Sequence, residues 1–221
     1  MIRVPESLDR TRAQQLVDAI LASSDPVIVL DGAQDTFCRG MDFTALVSDE
    51  AAIRSGVEAF AGVLRAIRTI GKPVVAVVAG CALGGGVGIA AAADVVIAGP
   101  RATFGLPEAL FGLVPGVVMP ILEARMTPQK ARWLALTGHA RSASEARELG
   151  LVDVVAPDDQ LTIAVARAVK QLARARSSAV ASLKHVDETA LGRGVRETTR
   201  LLGSPDVRTA VRAFLDEEWL P

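Results

Sequence analysis

The 221-residue sequence predicts an α/β protein with a largely parallel sheet. Three observations lead to this prediction. Short apolar runs alternate with longer segments of helical periodicity, which is the pattern of parallel strands joined by helices. The run Val74–Val78 has no polar alternation, so both faces of this strand are expected to be buried. The last third of the chain, after about residue 157, shows only helical patterns.

The first half of the chain predicts two amphipathic helices, at Leu8–Ala22 and Ile53–Ile70, where apolar residues recur at helical spacing. Turn-forming residues follow each helix, at Asp25-Pro26 and at Gly71-Lys72-Pro73. The other segments of this half are predicted as strands at Val27–Leu30, Val74–Val78 and Val95–Ile97, a loop at Gln34–Met41, and a helix of small residues at Gly85–Ala93.

Capping signals define helices of the second half. Thr127 precedes Pro128 at a helix start, and Ser142 with Glu145 forms a capping box for a short helix that Gly150 closes. Periodicity supplies the rest: a loop with a short helix within Thr103–Pro115, a strand at Leu151–Val155, and helices at Gln160–Arg174, Ser178–Leu202 and Asp206–Glu218.

Composition argues against several classes of function. Lys plus Arg total 24 and Asp plus Glu total 25, and aromatic residues make up 4%, so neither a basic nucleic-acid surface nor a stacking platform is predicted. The start of the chain lacks the apolar core of a signal peptide, and glycines and Asp94 interrupt the most apolar run, Pro73–Ala98, so no membrane span is predicted. Cys38 and Cys81 are too few for a disulfide framework, and we expect reduced thiols in a cytoplasmic protein.

The segment CALGGGVGIAAAADVV, at residues 81–96, places three consecutive glycines where a strand meets a helix. A glycine turn at a helix start leaves unpaired N–H donors that suit an oxyanion, and glycine allows a ligand to approach the backbone. Close packing between neighbouring elements explains the same glycines equally well. The spacing does not give the dinucleotide fingerprint, and no Gly-Lys-Ser/Thr follows, so a P-loop is excluded.

Two further segments offer candidate site residues. Phe37–Asp42 follows the first buried strand, where active sites of α/β folds gather, although a plain loop fits as well. Glu108 lies between apolar stretches and is either a buried general base or a carboxylate at a helix N-terminus. His139 and His185 are predicted on the surface, and no His/Cys cluster has metal-ligand spacing. We therefore expect no metal.

Four segments, in order and spacing, resemble the crotonase superfamily, also called the enoyl-CoA hydratase/isomerase family. They are VIVLDGAQDTFCRGMDF, KPVVAVVAGCALGGGVGIAAAADVVIA, ATFGLPEALFGLVPG and LTGHARSASEARELGLVD, between about residues 24 and 157. The resemblance implies a spiral of ββα units at residues 1–157 with shortened N-terminal strands, and a helical region at 158–221 that forms trimers or hexamers. The shortened front, which in the family contacts the nucleotide end of coenzyme A, mildly favours a carrier-protein substrate.

The resemblance also implies roles for individual residues. The family binds acyl thioesters of coenzyme A or of a carrier-protein phosphopantetheine arm, so no separate cofactor is expected. The backbone N–H groups of Met41 and Gly85 are expected to hold the thioester oxygen, and Glu108 is expected to carry a proton. Apolar neighbours such as Leu106, Leu110 and Phe111 are expected to raise the pKa of Glu108. The expected substrate-binding residues are Cys38, Arg39, Gly40, Asp42, Gly84, Gly86, Leu106, Pro107 and Phe111.

Gly88 departs from the pattern, because hydratases of the family carry a second glutamate there. One carboxylate suits dehydration of a 3-hydroxyacyl thioester, or double-bond isomerisation, better than ordinary hydration. The segments GGGVGIAAAADVVIA, EALFGLVPGVVMPIL and SPDVRTAVRAFLDEEWLP are similar to dehydratases of polyketide β-branching. The alternative is a helper subunit without catalysis, while a peptidase of related fold is disfavoured because no serine lies at the helix start.

Overall fold

A computed structural model describes residues 1–33, 35–42 and 50–216. The strands are β1 (Ile2–Arg3), β2 (Ile28–Asp31), β3 (Thr36–Cys38), β4 (Val74–Val78), β5 (Cys81–Leu83), β6 (Val95–Ala98), β7 (Thr103–Gly105), β8 (Arg141–Ser142) and β9 (Val154–Val155). The helices are α1 (Arg10–Ala22), α2 (Glu50–Thr69), α3 (Gly85–Ala92), α4 (Met119–Arg125), α5 (Pro128–Thr137), α6 (Ala143–Leu149), α7 (Leu161–Leu172), α8 (Ser177–Leu183), α9 (Glu188–Leu202) and α10 (Pro205–Asp216), with a 3-10 helix at Pro107–Phe111.

The described strands form two sheets. The first has the order β1-β2-β4-β6-β9 and is parallel throughout; the second has the order β3-β5-β7-β8, with β8 antiparallel to β7. From β2 to β7, successive strands alternate between the sheets, so β2, β3 and α2 make one turn of a spiral and β4, β5 and α3 make the next. The predicted α/β spiral of ββα units is therefore confirmed, with a first strand of two residues.

The apolar residues divide between a main core and the outer face of the first sheet. The main core includes the side chains of α1, α2 and α3 together with the second sheet. The outer face, with Val29, Val75 and Ile97, is covered by apolar side chains of α7. No helix among the described residues is long and apolar enough to cross a membrane.

Several boundaries differ from the sequence predictions. The predicted loop at Gln34–Met41 contains β3, which pairs with β5, and Gln34 itself lies outside the described residues. The predicted helix Ser178–Leu202 is divided into α8 and α9, because Lys184 leaves helical geometry where its ammonium reaches Asp94 Oδ2 at 2.8 Å. The strand at Leu151–Val155 shortens to β9, because the first two N–H groups bond back to Ala146 O. Residues 217 and 218 of the last predicted helix lie outside the described range.

The predicted capping signals are confirmed. Thr127 caps α5 by accepting a hydrogen bond from the Lys130 N–H, and Ser142 with Glu145 forms the capping box of α6. His139 and His185 are exposed, and both cysteines are free thiols.

Candidate active site

A cavity of about 200 Å³ lies between the N-terminus of α3, the 3-10 helix, α9 and α10. The chain reaches this cavity from strands β3, β5 and β7 of the second sheet, because these neighbouring parallel strands end at the same edge. The lining residues are Ser7, Arg39, Met41, Asp42, Phe60, Leu83, Gly84, Gly85, Pro107, Glu108, Phe111, Leu113, Val114, Pro115, Val117, Val118, Thr198 and Phe214.

In this lining, the backbone N–H groups of Met41 and Gly85 have no acceptor among the described residues. Gly85 is the first residue of α3, and the first N–H groups of a helix have no intrahelical partner. Leu8 donates to Gly40 O at 2.8 Å and accepts from the Asp42 N–H at 2.9 Å. Because alternate N–H groups of an extended segment point to opposite sides, the Met41 N–H between them points away from Leu8.

Glycine at position 40 brings these two N–H groups together. Gly40 has a φ of +88°, and a Cβ at this position would lie 2.5 Å from Gly85 N. A side chain would therefore separate the Met41 backbone from the start of α3. The ring of Phe60 also packs against Gly85, where a Cβ would lie 2.8 Å from Cζ of Phe60.

The Glu108 carboxyl group lies beside this pair of donors. The side chain is 5% exposed, and Oε2 has no hydrogen-bond partner among the described residues. Burial raises the pKa of Glu108 from 4.5 to about 7, so the carboxyl can gain or lose a proton near neutral pH. A Cβ on Gly84 would lie 2.8 Å from Oε1, which places the carboxyl next to the backbone of α3.

The predicted rise in the pKa of Glu108 is confirmed in direction, with one correction to its cause. Leu106 and Phe111 are buried, as expected of residues that exclude water from the carboxyl. Leu110 is 53% exposed, because the 3-10 helix turns this side chain outward, so its proposed part in burying Glu108 is wrong.

The position of the absent second carboxylate is filled by an aliphatic side chain. A Cβ on Gly88 would lie 2.9 Å from Cγ2 of Val118 and 3.3 Å from Cγ1. Val118 is buried and precedes α4, which packs against α3. The cavity wall at Val118 is therefore hydrocarbon.

The chain matches the family model for enoyl-CoA hydratase/isomerase over residues 4–201. The chain belongs to this enoyl-CoA hydratase/isomerase family. Its relatives include a carnitinyl-CoA dehydratase from Proteus mirabilis, 32% identical over 199 residues that cover 88% of this chain and 75% of the relative. A carnitinyl-CoA dehydratase from Salmonella arizonae is 34% identical over 187 residues that cover 82% of this chain and 70% of the relative.

Solved structures establish the crotonase fold. An enoyl-CoA hydratase from Mycobacterium avium has a TM-score of 0.81 and 30% identity, over 97% of this chain and 88% of the neighbour. A structure described as a polyketide biosynthesis enoyl-CoA hydratase from Bacillus subtilis has a TM-score of 0.84 and 24% identity, over 98% and 90%. This protein is therefore an enzyme of the enoyl-CoA hydratase/isomerase family, of the lyase or isomerase type, that acts on acyl thioesters.

The structure brings together eight of the twelve residues that the family resemblance predicted. Those in the cavity lining are Arg39, Met41, Asp42, Gly84, Gly85, Pro107, Glu108 and Phe111. The other four, Cys38, Gly40, Gly86 and Leu106, lie behind the lining.

Burial raises the pKa of the Cys38 thiol to about 12, and its Sγ accepts a hydrogen bond from the Gly40 N–H at 3.3 Å. A Cβ on Gly86 would lie 1.9 Å from Cys38 O, so Gly86 serves close packing of α3 on β3.

Four residues that line this enzyme's cavity were not predicted from the sequence. Phe60, Val118, Thr198 and Phe214 come from four different elements and carry no local motif. The run EALFGLVPGVVMPIL contains Val118, but its apolar pattern does not show which residue faces Gly88. Only the packing of α9 against α4 and of α10 against the 3-10 helix reveals the contribution of the last two residues.

Proposed function

We propose that this enzyme dehydrates a 3-hydroxyacyl thioester, with Glu108 as its single catalytic carboxyl group. The buried, unpartnered Glu108 Oε2 beside the unpaired N–H groups at the start of α3 is the observation that carries this proposal. These groups lie in one cavity, so a thioester carbonyl bound at the donors would bring its C2 carbon toward the carboxyl group. The relatives described as carnitinyl-CoA dehydratases support the choice of dehydration.

The proposed steps balance without a further reactant. The thioester oxygen accepts hydrogen bonds from the Met41 and Gly85 N–H groups. The Glu108 carboxylate takes the C2 proton, and the electrons of the C–H bond pass to the thioester oxygen as an enolate. The enolate then expels the C3 hydroxyl group, which takes the proton from Glu108 and leaves as water. The carboxylate is thereby restored.

The acyl group in this proposal is small and uncharged. The apolar end of the cavity is formed by Phe111, Val118 and Phe214, and the two aromatic rings lie with centroids 4.8 Å apart. Arg39 is the cation among the described lining residues, and its Nε lies 3.3 Å from Oε1 of Glu6. A terminal carboxylate on the acyl group would be left without a counter-charge at the apolar end.

A role in polyketide β-branching remains a prediction. A 3-hydroxy-3-methylglutaryl group carries such a terminal carboxylate, so this substrate has to place its charge elsewhere than the apolar end. The structural neighbour from Bacillus subtilis, described as a polyketide biosynthesis enzyme, shares the fold. Turnover of this group on an acyl carrier protein, compared with an uncharged 3-hydroxyacyl group on the same carrier, tests the role directly.

Double-bond isomerisation is the second candidate, and the contact between Gly88 and Val118 favours it. Hydrocarbon at this wall leaves no second carboxylate to bind water. Glu108 alone can take a proton from C2 of a 3-enoyl thioester and return it to C4. Both reactions pass through an intermediate with negative charge on the thioester oxygen, so the same donors serve either one.

Proton exchange in D₂O tests the proposal. The protein is incubated with 3-hydroxyacyl and 3-enoyl thioesters, each on coenzyme A and on a phosphopantetheinylated carrier protein, and mass spectrometry follows deuterium uptake and loss of water. We expect turnover that Glu108→Gln abolishes, while the exposed surface change Glu123→Gln leaves it intact. Loss of water identifies the dehydratase, and uptake without it identifies the isomerase. The absence of both on every substrate would overturn the proposal in favour of a helper subunit.

A further inference from the structure

The polar side chains that line the cavity form three groups along the chain. Within the described residues, Ser7, Arg39 and Asp42 belong to the segments around the Met41 backbone, where the thioester end is expected. Glu108 belongs to the 3-10 helix. The remaining polar side chain is Thr198, which α9 contributes from the helical C-terminal region.

Thr198 is deeply buried and only weakly bonded. Its side chain is 3% exposed, and its hydroxyl lies 3.5 Å from Val114 O, at the outer limit for a hydrogen bond. The rest of the lining around it is apolar and includes Val114, Val117 and Phe214. A buried hydroxyl in such surroundings is expected to have a stronger partner than this carbonyl.

Close backbone contact explains how α9 brings this hydroxyl to the cavity. A Cβ on Gly194 would lie 2.1 Å from Gly116 O, so the helix backbone packs directly on the segment before α4. A Cβ on Gly116 would lie 2.9 Å from the Thr198 hydroxyl oxygen. Two glycines therefore make room for the hydroxyl beside the segment that carries Val118 across to Gly88.

We propose that the Thr198 hydroxyl donates a hydrogen bond to the C3 hydroxyl oxygen of the substrate, on the wall where Val118 replaces a second carboxylate. The proposal rests on the dehydration proposed above. The threonine hydroxyl positions the leaving group and stabilises charge on it, while the proton for the departing water still comes from Glu108. Specificity for a 3-hydroxyacyl group over the corresponding saturated acyl group follows from this contact.

Ligand binding isolates the contact from turnover. Affinities for 3-hydroxybutyryl-CoA and butyryl-CoA, which differ in the C3 hydroxyl group, are measured by calorimetry in the Glu108→Gln background. We expect the 3-hydroxy ligand to bind about 10-fold more tightly, and Thr198→Val to remove this preference, since one net hydrogen bond is worth about 3- to 10-fold in affinity. Thr198→Ser, which keeps the hydroxyl, is expected to retain most of it.

Thr199 provides the matched control. It follows Thr198 on α9, its hydroxyl is buried without a partner among the described residues, and it does not line the cavity. Thr199→Val should lower affinity for both ligands equally or not at all. A hydroxyl preference that survives Thr198→Val would overturn the Thr198 assignment, as would equal losses on both ligands. Turnover that survives Glu108→Gln would instead overturn the proposed function.

Discussion

Two glycine positions on one short helix, Gly84 at its N-cap and Gly88 one turn later, meet opposite partners at nearly the same distance. A Cβ on Gly84 would lie 2.8 Å from a carboxyl oxygen of Glu108, and a Cβ on Gly88 would lie 2.9 Å from a methyl group of Val118. The first glycine keeps a titratable group against the backbone of α3. The second serves close packing, as in any protein interior.

The comparison shows that the same residue type opens a site at one position and closes it at the other. The side with Gly84 and Gly85 has unpaired N–H donors and a carboxyl with a pKa of about 7. The side with Gly88 has hydrocarbon in close contact. The protein has therefore filled the place where a second carboxylate would act, and restoring that function needs changes on two elements.

We call the side of the site with Gly84, Gly85 and Glu108 the open side, and the side with Gly88 and Val118 the closed side. The largest expected effect comes from disrupting the open side with Gly40→Ala. The new methyl group would meet Gly85 N at 2.5 Å in a backbone with φ of +88°, so Met41 and Gly85 should separate. Loss of one oriented oxyanion donor lowers kcat by about 100- to 1000-fold in well-studied cases. We expect a fall of this order in kcat/KM for the preferred thioester, measured under initial-rate conditions.

Gly62→Ala is the control for that change. Gly62 lies inside α2 and a Cβ there meets nothing within 4 Å, so alanine should raise the free energy of unfolding by roughly 0.5–1 kcal/mol through helix propensity. Activity of this variant should stay at the wild-type level. If Gly40→Ala also keeps wild-type activity, the Met41 N–H does not hold the thioester.

The next effect concerns the free energy of unfolding and its pH dependence. The pKa of Glu108 is about 7 in the folded protein and 4.5 in the reference state, so the folded state binds this proton more tightly. Stability from this group is fully present below about pH 4.5 and is lost as pH rises through about 7. Glu108→Gln removes this loss of unfolding free energy. The loss is roughly 3 kcal/mol at most, because one pKa unit corresponds to about 1.4 kcal/mol.

Denaturant titrations at about pH 4 and about pH 8 check this sign. The unfolding free energy of Glu108→Gln relative to wild type should be larger at about pH 8 than at about pH 4. The exposed Glu123→Gln variant should follow wild type at both values. A difference that does not change with pH would mean that folding does not raise the pKa of Glu108.

The open side could be predicted from sequence because its residues lie in ordered local signals. The strand Val74–Val78 was predicted with the bounds that the structure has, and the glycine turn and Glu108 lie in segments whose order and spacing match one family. The short strands β1, β3, β5, β7 and β8, the helix α4 and the division of α8 from α9 were missed. These features depend on partners far along the chain, such as Asp94 for Lys184.

The closed side could not be predicted because its contacts join residues without any common pattern. The sequence shows that position 88 has no carboxylate, but no neighbouring residue indicates that Val118 occupies the space beside it. The same holds for Thr198, whose approach to the cavity depends on contact between Gly116 and Gly194. In each case, a steric fit between two distant small residues decides the structure.

The smallest expected effect tests the closed side with Gly88→Ala. Helix propensity favours alanine by about 1 kcal/mol, while overpacking against Val118 costs about 1–3 kcal/mol, so stability should fall by up to about 2 kcal/mol.

Val118→Ala alone should cost roughly 2 kcal/mol through lost burial and a cavity, but much less in the Gly88→Ala background, where the new methyl group uses that space. Denaturant unfolding of the four proteins gives the coupling, and additivity within about 0.5 kcal/mol would show that the two side chains do not compete. Coupling above that value, with kcat/KM of Gly88→Ala within about 3-fold of wild type, would show that position 88 is packing and not chemistry.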